Sequence, residues 1–198
     1  LPLNRQASRM RKLIYYVAAS VDGFIAAEDG TFDALLLQGP HMADLVADFP
    51  ETFPAPARAA LGVSASNGLF DAVLMGRATY EVGSKQGLTN PYPQLDQYLF
   101  SKSLGQSPDP AVRLVGSDAA GFVAKLKERP GRAIWLCGGG RLAAELFDQI
   151  DELILKQTPV LLGRGIPLFA DKVPATKLRL LDRKPYDSGY QRLHYTLR

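Results

Sequence analysis

The sequence predicts an α/β protein: a mostly parallel central sheet, helices on both faces, and an antiparallel hairpin at the C-terminal edge. Three observations carry that prediction. Short apolar runs without breakers, at Leu13 to Ala19, Ala72 to Met75 and Ala133 to Cys137, have the pattern of strands buried on both faces. Segments with a helical apolar period follow several of these runs, as parallel crossovers require. At the C-terminus, two alternating segments, Lys177 to Arg183 and Tyr190 to Leu197, are joined by Asp187-Ser188-Gly189, the mark of a hairpin.

The chain has 198 residues, 46% hydrophobic and 22% charged, enough for one substantial core. Residues 10–198 read as a single domain, with no repeat, low-complexity tract or linker. Met10-Arg11-Lys12 predicts a natural start, which makes residues 1–9 an upstream extension without a signal-peptide core. The net charge of +3 is spread along the chain and gives no nucleic-acid surface. No apolar run approaches the ~20 residues that span a bilayer. One cysteine excludes an internal disulfide and points to a reducing, cytoplasmic setting. The two histidines, His41 and His194, lie far apart and offer no metal-ligand spacing.

Taken in order, the first strand runs into Ser20-Val21-Asp22-Gly23-Phe24-Ile25-Ala26, a loop with an Asp-Gly turn, placed either to cover a site or as a plain surface hairpin. Met42, Leu45, Val46 and Phe49 share a helical face that should end before Pro50. A short helical turn over 57–62 precedes the second strand, Ala72 to Met75. That strand leads through Gly76 into a helix beginning near Arg77 and Thr79. Gln97 to Phe100 forms a third strand and ends in Ser101-Lys102-Ser103. Val112 to Val115 is a short strand. Ala119, Phe122, Val123 and Leu126 mark a helix closed by Arg129-Pro130-Gly131.

The most informative stretch is 132–150. A buried strand passes through Gly138, Gly139 and Gly140 into a helix with Ala143, Leu146, Phe147 and Ile150 on one face. Glycines let backbone approach a ligand, and a helix start favours an anion. The triplet is not a Gly-x-Gly-x-x-Gly fingerprint, and it reads equally as a flexible turn. Its weight comes from company. The strand ends at Gly76, Ser101 and Gly138 all carry phosphate-friendly chemistry, and ligands of open α/β sheets sit beyond such ends. Next come the strand Glu152 to Lys156, then the loop Thr158 to Phe169, then the hairpin.

These residues resemble the dihydrofolate reductase-like superfamily, within it the group sharing the reductase domain of bacterial riboflavin synthesis. The resemblance rests on four elements in order. They are Ser20-Val21-Asp22-Gly23-Phe24-Ile25-Ala26, Val73-Leu74-Met75-Gly76-Arg77-Ala78-Thr79-Tyr80, Gly138-Gly139-Gly140-Arg141-Leu142, and Asp151-Glu152-Leu153 through Pro159-Val160-Leu161-Leu162-Gly163 to Leu168-Phe169. It implies a three-layer fold, NADPH as cofactor, a homodimer, and a cis peptide between Gly138 and Gly139. It also implies that Gly76, Arg77 and Thr79 hold the dinucleotide, with Arg77 toward the 2′-phosphate and Ser101 and Lys102 at the adenosine end. Gly138, Gly139, Gly140, Arg141 and Leu142 would meet the pyrophosphate, and Ala18 and Ile25 the nicotinamide.

The departures concern the substrate. Dihydrofolate reductases carry a Trp-x-Leu-Pro segment and then an acidic residue for the pterin ring, and residues 28–45 contain neither pattern; Asp33 is the nearest candidate carboxylate. Riboflavin reductases have an acidic residue before the glycine turn, where Cys137 stands here. Lys156 interrupts an apolar strand and either faces solvent or enters the substrate cleft, which Phe24 and Tyr80 would also line. The expected activity is NADPH-dependent hydride transfer to a C=N or C=O bond of a small pteridine- or pyrimidine-like substrate. The alternatives are an NADP(H)-binding protein without turnover and a reductase of the riboflavin or folate pathway itself.

Overall fold

The computed structural model describes residues 10–36, 38–64, 66 and 68–197. The expected extension at residues 1–9 lies outside them. Strand β1 (Leu13–Ser20) is apolar up to its last residue, Ser20, and every residue but Ala18 is buried. Strand β2 (Phe24–Ala26), a 3₁₀ turn at Asp33–Leu35, helix α1 (His41–Asp48), a second 3₁₀ turn at Pro50–Thr52 and helix α2 (Ala55–Ala60) follow. Then come β3 (Phe70–Gly76), α3 (Arg77–Ser84), β4 (Asp96–Phe100), β5 (Val112–Val115), α4 (Ala119–Lys127), β6 (Ala133–Gly138) and α5 (Gly140–Glu145). The chain ends with β7 (Glu152–Thr158), β8 (Ile166–Pro167), β9 (Arg179–Pro185) and β10 (Gln191–Thr196).

The main sheet has the order β5-β4-β3-β6-β1-β7-β10-β9. Strands β5 through β7 run parallel, and β10 joins β7 and β9 antiparallel, as the alternating C-terminal pattern predicts. Alternate residues of β1 feed two cores. Leu13, Tyr15 and Val17 pack with α4 and α5, while Ile14 and Tyr16 pack with Leu45 and Phe49 of the α1 region and with Tyr80 of α3. This is the three-layer arrangement expected when strands are hydrophobic on both faces.

The hairpin strands begin two and one residues later than the sequence alternation suggests, and a bulge between His194 and Tyr195 shifts the register. Helix α5 is shorter than its apolar period implies. Leu146 leaves helical geometry, and the chain continues as a 3₁₀ turn at Phe147–Gln149. Strands β2 and β8 form a separate two-stranded sheet beside the main one.

One polar group anchors the start of β3. Glu51 is fully buried, and its carboxylate accepts the N–H groups of Gly68, Leu69 and Phe70 at 2.9, 2.7 and 2.6 Å. Truncation would leave three donors unpaired in the interior. Glu51→Ala should therefore lower stability by about 3 kcal/mol, the scale of a lost buried charged hydrogen-bond partner. Urea unfolding of the two proteins checks this, and a change below about 1 kcal/mol would be incompatible with that role.

Candidate active site at the carboxyl edge of the sheet

The carboxyl ends of β3, β4 and β6 lie side by side. Gly76 is in register with Phe100, and Met75 with Gly138. The peptide between Gly138 and Gly139 is cis, and Gly138 has φ +131°, a region that L side chains rarely adopt. A Cβ on Gly76 would stand 3.4 Å from the Gly139 nitrogen, and one on Gly139 would stand 3.5 Å from Thr79 Oγ1. The α3 and α5 starts thus meet backbone to backbone. Neither N-cap, Gly76 or Gly139, makes a side-chain capping bond, so the first-turn N–H groups are left for solvent or a ligand.

Cationic side chains surround this meeting point. The Arg77 side chain is 47% exposed, with Nε donating to Glu81 at 2.5 Å and Nη1 to Ser103 Oγ at 2.8 Å. The guanidinium beside Glu81 holds that carboxyl below its usual range. Lys102 Nζ lies 3.6 Å from Glu145 on α5 and is largely exposed. Arg141 is also exposed.

Three residues of the glycine and serine turns have structural work of their own. Ser101 Oγ accepts the Leu104 and Ser103 N–H groups at 3.3 and 3.4 Å, closing its own turn. A Cβ on Gly140 would come within 2.3 Å of the Pro167 carbonyl oxygen, so glycine is needed there for the 167–170 segment to pass, irrespective of any ligand. The Leu142 side chain belongs to the core.

The second half of the edge lies around Ala18. Ala18 is in register with Lys156, and Ile25 packs against the core from the β2 side. The Lys156 side chain is partly buried, and Nζ stands 4.3 Å from the centre of the Tyr16 ring. Burial pushes this ammonium down to about 8, with Cys137 acting in the opposite sense. Burial pushes the Cys137 thiol up to about 12, against smaller lowering effects from Lys156 and a hydrogen bond with Tyr92. Both groups are driven toward neutrality.

Two candidates from the sequence are not part of this half. Tyr80 is a core residue, 2% exposed, whose hydroxyl donates to the Thr89 carbonyl at 2.6 Å, because α3 turns that position inward. Asp33 is exposed on the 3₁₀ turn. Phe24 is partly buried on β2, opposite Pro167 of β8. Asp22, read from its Asp-Gly pair only as a turn residue, has a further role. Its carboxylate accepts the Leu162 and Gly163 N–H groups at 3.2 and 2.7 Å, tying the loop after β1 to the loop after β7. Among the described residues no cluster of three or more His, Cys, Asp or Glu could hold a metal, and no helix is long and apolar enough to cross a membrane.

A parallel sheet with open helix starts at its carboxyl edge is an arrangement in which ligands bind beyond the strand ends. Residues 11–192 match the family described as RibD C-terminal domain, and the chain belongs to that family. It is 35% identical over 187 residues to the uncharacterized protein YwjB of Bacillus subtilis, covering 93% of this chain and 97% of that one. Among solved structures it is similar to a protein assigned to riboflavin biosynthesis from Shewanella sp. PV-4, with TM-score 0.70, 22% identity and coverage of 94% and 99%. It also resembles a Thermotoga maritima diaminohydroxyphosphoribosylaminopyrimidine deaminase/5-amino-6-(5-phosphoribosylamino)uracil reductase, with TM-score 0.63, 15% identity, and coverage of 96% of this chain and 57% of that one. Enterococcus faecalis dihydrofolate reductase, in complex with NADP(H), matches with TM-score 0.63, 14% identity and coverage of 93% and 95%. The dihydrofolate reductase-like fold expected from the sequence is thus the fold observed.

The surroundings of Cys137 make it an inert thiol rather than a nucleophile. Native protein at pH 8 should release no thionitrobenzoate from Ellman's reagent, and the single thiol should titrate fully in guanidinium. Rapid reaction in the native state would contradict this environment.

Proposed function

We propose that this protein is an NADPH-dependent oxidoreductase that directs hydride to a C=N or C=O bond of a small pteridine- or pyrimidine-like substrate. The observation that carries the proposal is the meeting of Gly76, Gly138 and Gly139 with Thr79 at uncapped helix starts, ringed by Arg77, Lys102 and Arg141. Backbone N–H groups suit a pyrophosphate, and exposed cations suit the further phosphate that separates NADPH from NADH. The match to a dihydrofolate reductase in complex with NADP(H) supports this cofactor.

When bound, the nicotinamide would supply the hydride. The chain's own contribution is positional. Backbone at Ala18 and the Ile25 side chain would flank the ring, Phe24 would close the cleft from β2, and the Asp22 tie would hold that loop in place. Arg77 would turn part of its guanidinium from Glu81 to phosphate. Water would complete the proton transfer.

Calorimetry with NADPH and NADH at matched salt tests the cofactor. NADPH should bind more tightly, and Arg77→Ala should weaken it by ~1.5–3 kcal/mol, the scale of a charged hydrogen bond, while leaving NADH binding nearly unchanged. Equal affinities for the two dinucleotides would overturn the phosphate assignment. Steady NADPH oxidation with a ring substrate separates an enzyme from a binding protein without turnover.

We propose further that the protein is a homodimer in the cytoplasm. Leu178, Leu180 and Leu181, at the edge strand β9, are 41%, 48% and 40% exposed, and no residue of β10 is fully buried. Exposed leucines of this kind along an edge strand mark an association surface. Sedimentation at micromolar concentration should give twice the 21.5 kDa chain mass, and Leu180→Asp should give the monomer. A monomeric parent protein would refute the dimer.

A further inference from the structure

Lys156 ends the apolar run of β7. The preceding residues, Leu153, Ile154 and Leu155, all pack into it, and Lys156 follows them with an ammonium that no carboxylate meets among the described residues. The groups that face it are few. Tyr16 of β1 lies under Nζ, Cys137 of β6 and its partner Tyr92 lie beyond, and Arg192 is directly across in β10. Arg192 is itself paired with Asp48. Tyr190, just before β10, is buried and its phenol is pushed up by that burial. The full charges near Lys156 are its own, the Arg192–Asp48 pair, and Glu51, which acts on Tyr16 and is held by three backbone N–H groups.

An enclosed ammonium without a counter-charge is costly, and it offers only donors. A ring N–H needs an acceptor opposite it, and the Lys156 ammonium has none to give. We infer that Lys156 is the group that selects the substrate, and that the substrate presents to it an anionic oxygen, a carboxylate or enolate on the ring. Lys156 stands opposite Ala18, so this oxygen would lie on the β7 side of the cleft. The inference rests on the reductase reading above and adds the polarity of the substrate to it.

Orotate and uracil, one pyrimidine with a carboxylate and one without, are suitable probes. Each is titrated calorimetrically into protein saturated with NADP⁺, after a separate titration of NADP⁺ itself. At pH 7 orotate should bind about tenfold or more tightly than uracil, as a charge-assisted hydrogen bond would give. The preference should fade as pH rises through about 8, where the lowered ammonium loses its proton. Lys156→Met should abolish the preference and Lys156→Arg should retain it, with thermal melts confirming that both fold. Equal binding of the two probes, binding of neither, or a preference that survives in Lys156→Met would overturn the assignment. Failure of NADP⁺ to bind would overturn the cofactor proposal instead, and the same two titrations on the free protein would still decide the role of Lys156.

Discussion

The structure depends on β1 being paired in parallel on both sides and buried on both faces. Its register with β6 begins at Leu13 and Ile134, and its register with β7 runs from Ile14 and Glu152 to Ser20 and Thr158. A strand in that position cannot accept a polar side chain without a partner, which is why seven of its residues are enclosed and only Ala18 is partly open. The opening therefore falls at the carboxyl end, between the glycine turn after β6 and the lysine of β7. The position of the cleft follows from the burial of the strand.

The opposite end of the sheet holds the polar anchors. Asp151 accepts the Leu13 N–H at 2.8 Å and the Lys127 ammonium at 2.7 Å, joining β1, α4 and the start of β7. Glu152 is paired with Lys12 and stands 2.9 Å from His194 Nε2. Burial works against the charged form of Glu152, but Lys12 and His194 outweigh it and hold the carboxyl low. Arg11 is similarly joined to Asp71 of β3. These pairs immobilise the amino ends of the strands, so the carboxyl ends can carry bare glycines and uncapped helix starts without losing their alignment.

The central strands and the three converging strand ends were legible in the sequence because runs buried on both faces need no period to reveal them, only an absence of breakers. The same property concealed side-chain direction. Lys156 could not be placed from its neighbours, since Leu153, Ile154 and Leu155 are apolar on both faces, and only the coordinates put its Nζ over Tyr16. Strands β2 and β8 are three and two residues long, too short for any alternation. Tyr80, expected in the cleft, lies in the core because α3 turns that position inward while leaving Arg77 half exposed. Gly140 carries a second demand that the motif does not reveal, because a passing carbonyl also requires glycine there. The cis peptide came from family resemblance, as no local residue pattern specifies one.

The cleft has two halves with different electrostatics. Around Gly76 and Gly138 the cations are exposed on long side chains, so their hold on an anion is shared with solvent and weakened by salt. Around Ala18 the charges are few and enclosed, and each interaction is correspondingly stronger. Cys137 contributes to this by remaining neutral. A carboxylate in its place would give the Lys156 ammonium a permanent partner and make that side attractive to ring N–H donors. With a neutral thiol there, the lysine is left to an incoming acceptor. Under the proposed role of Lys156, substitution at that one position would reverse the polarity that the substrate must bring, while the backbone cradle on the other side of the cleft would be unaffected.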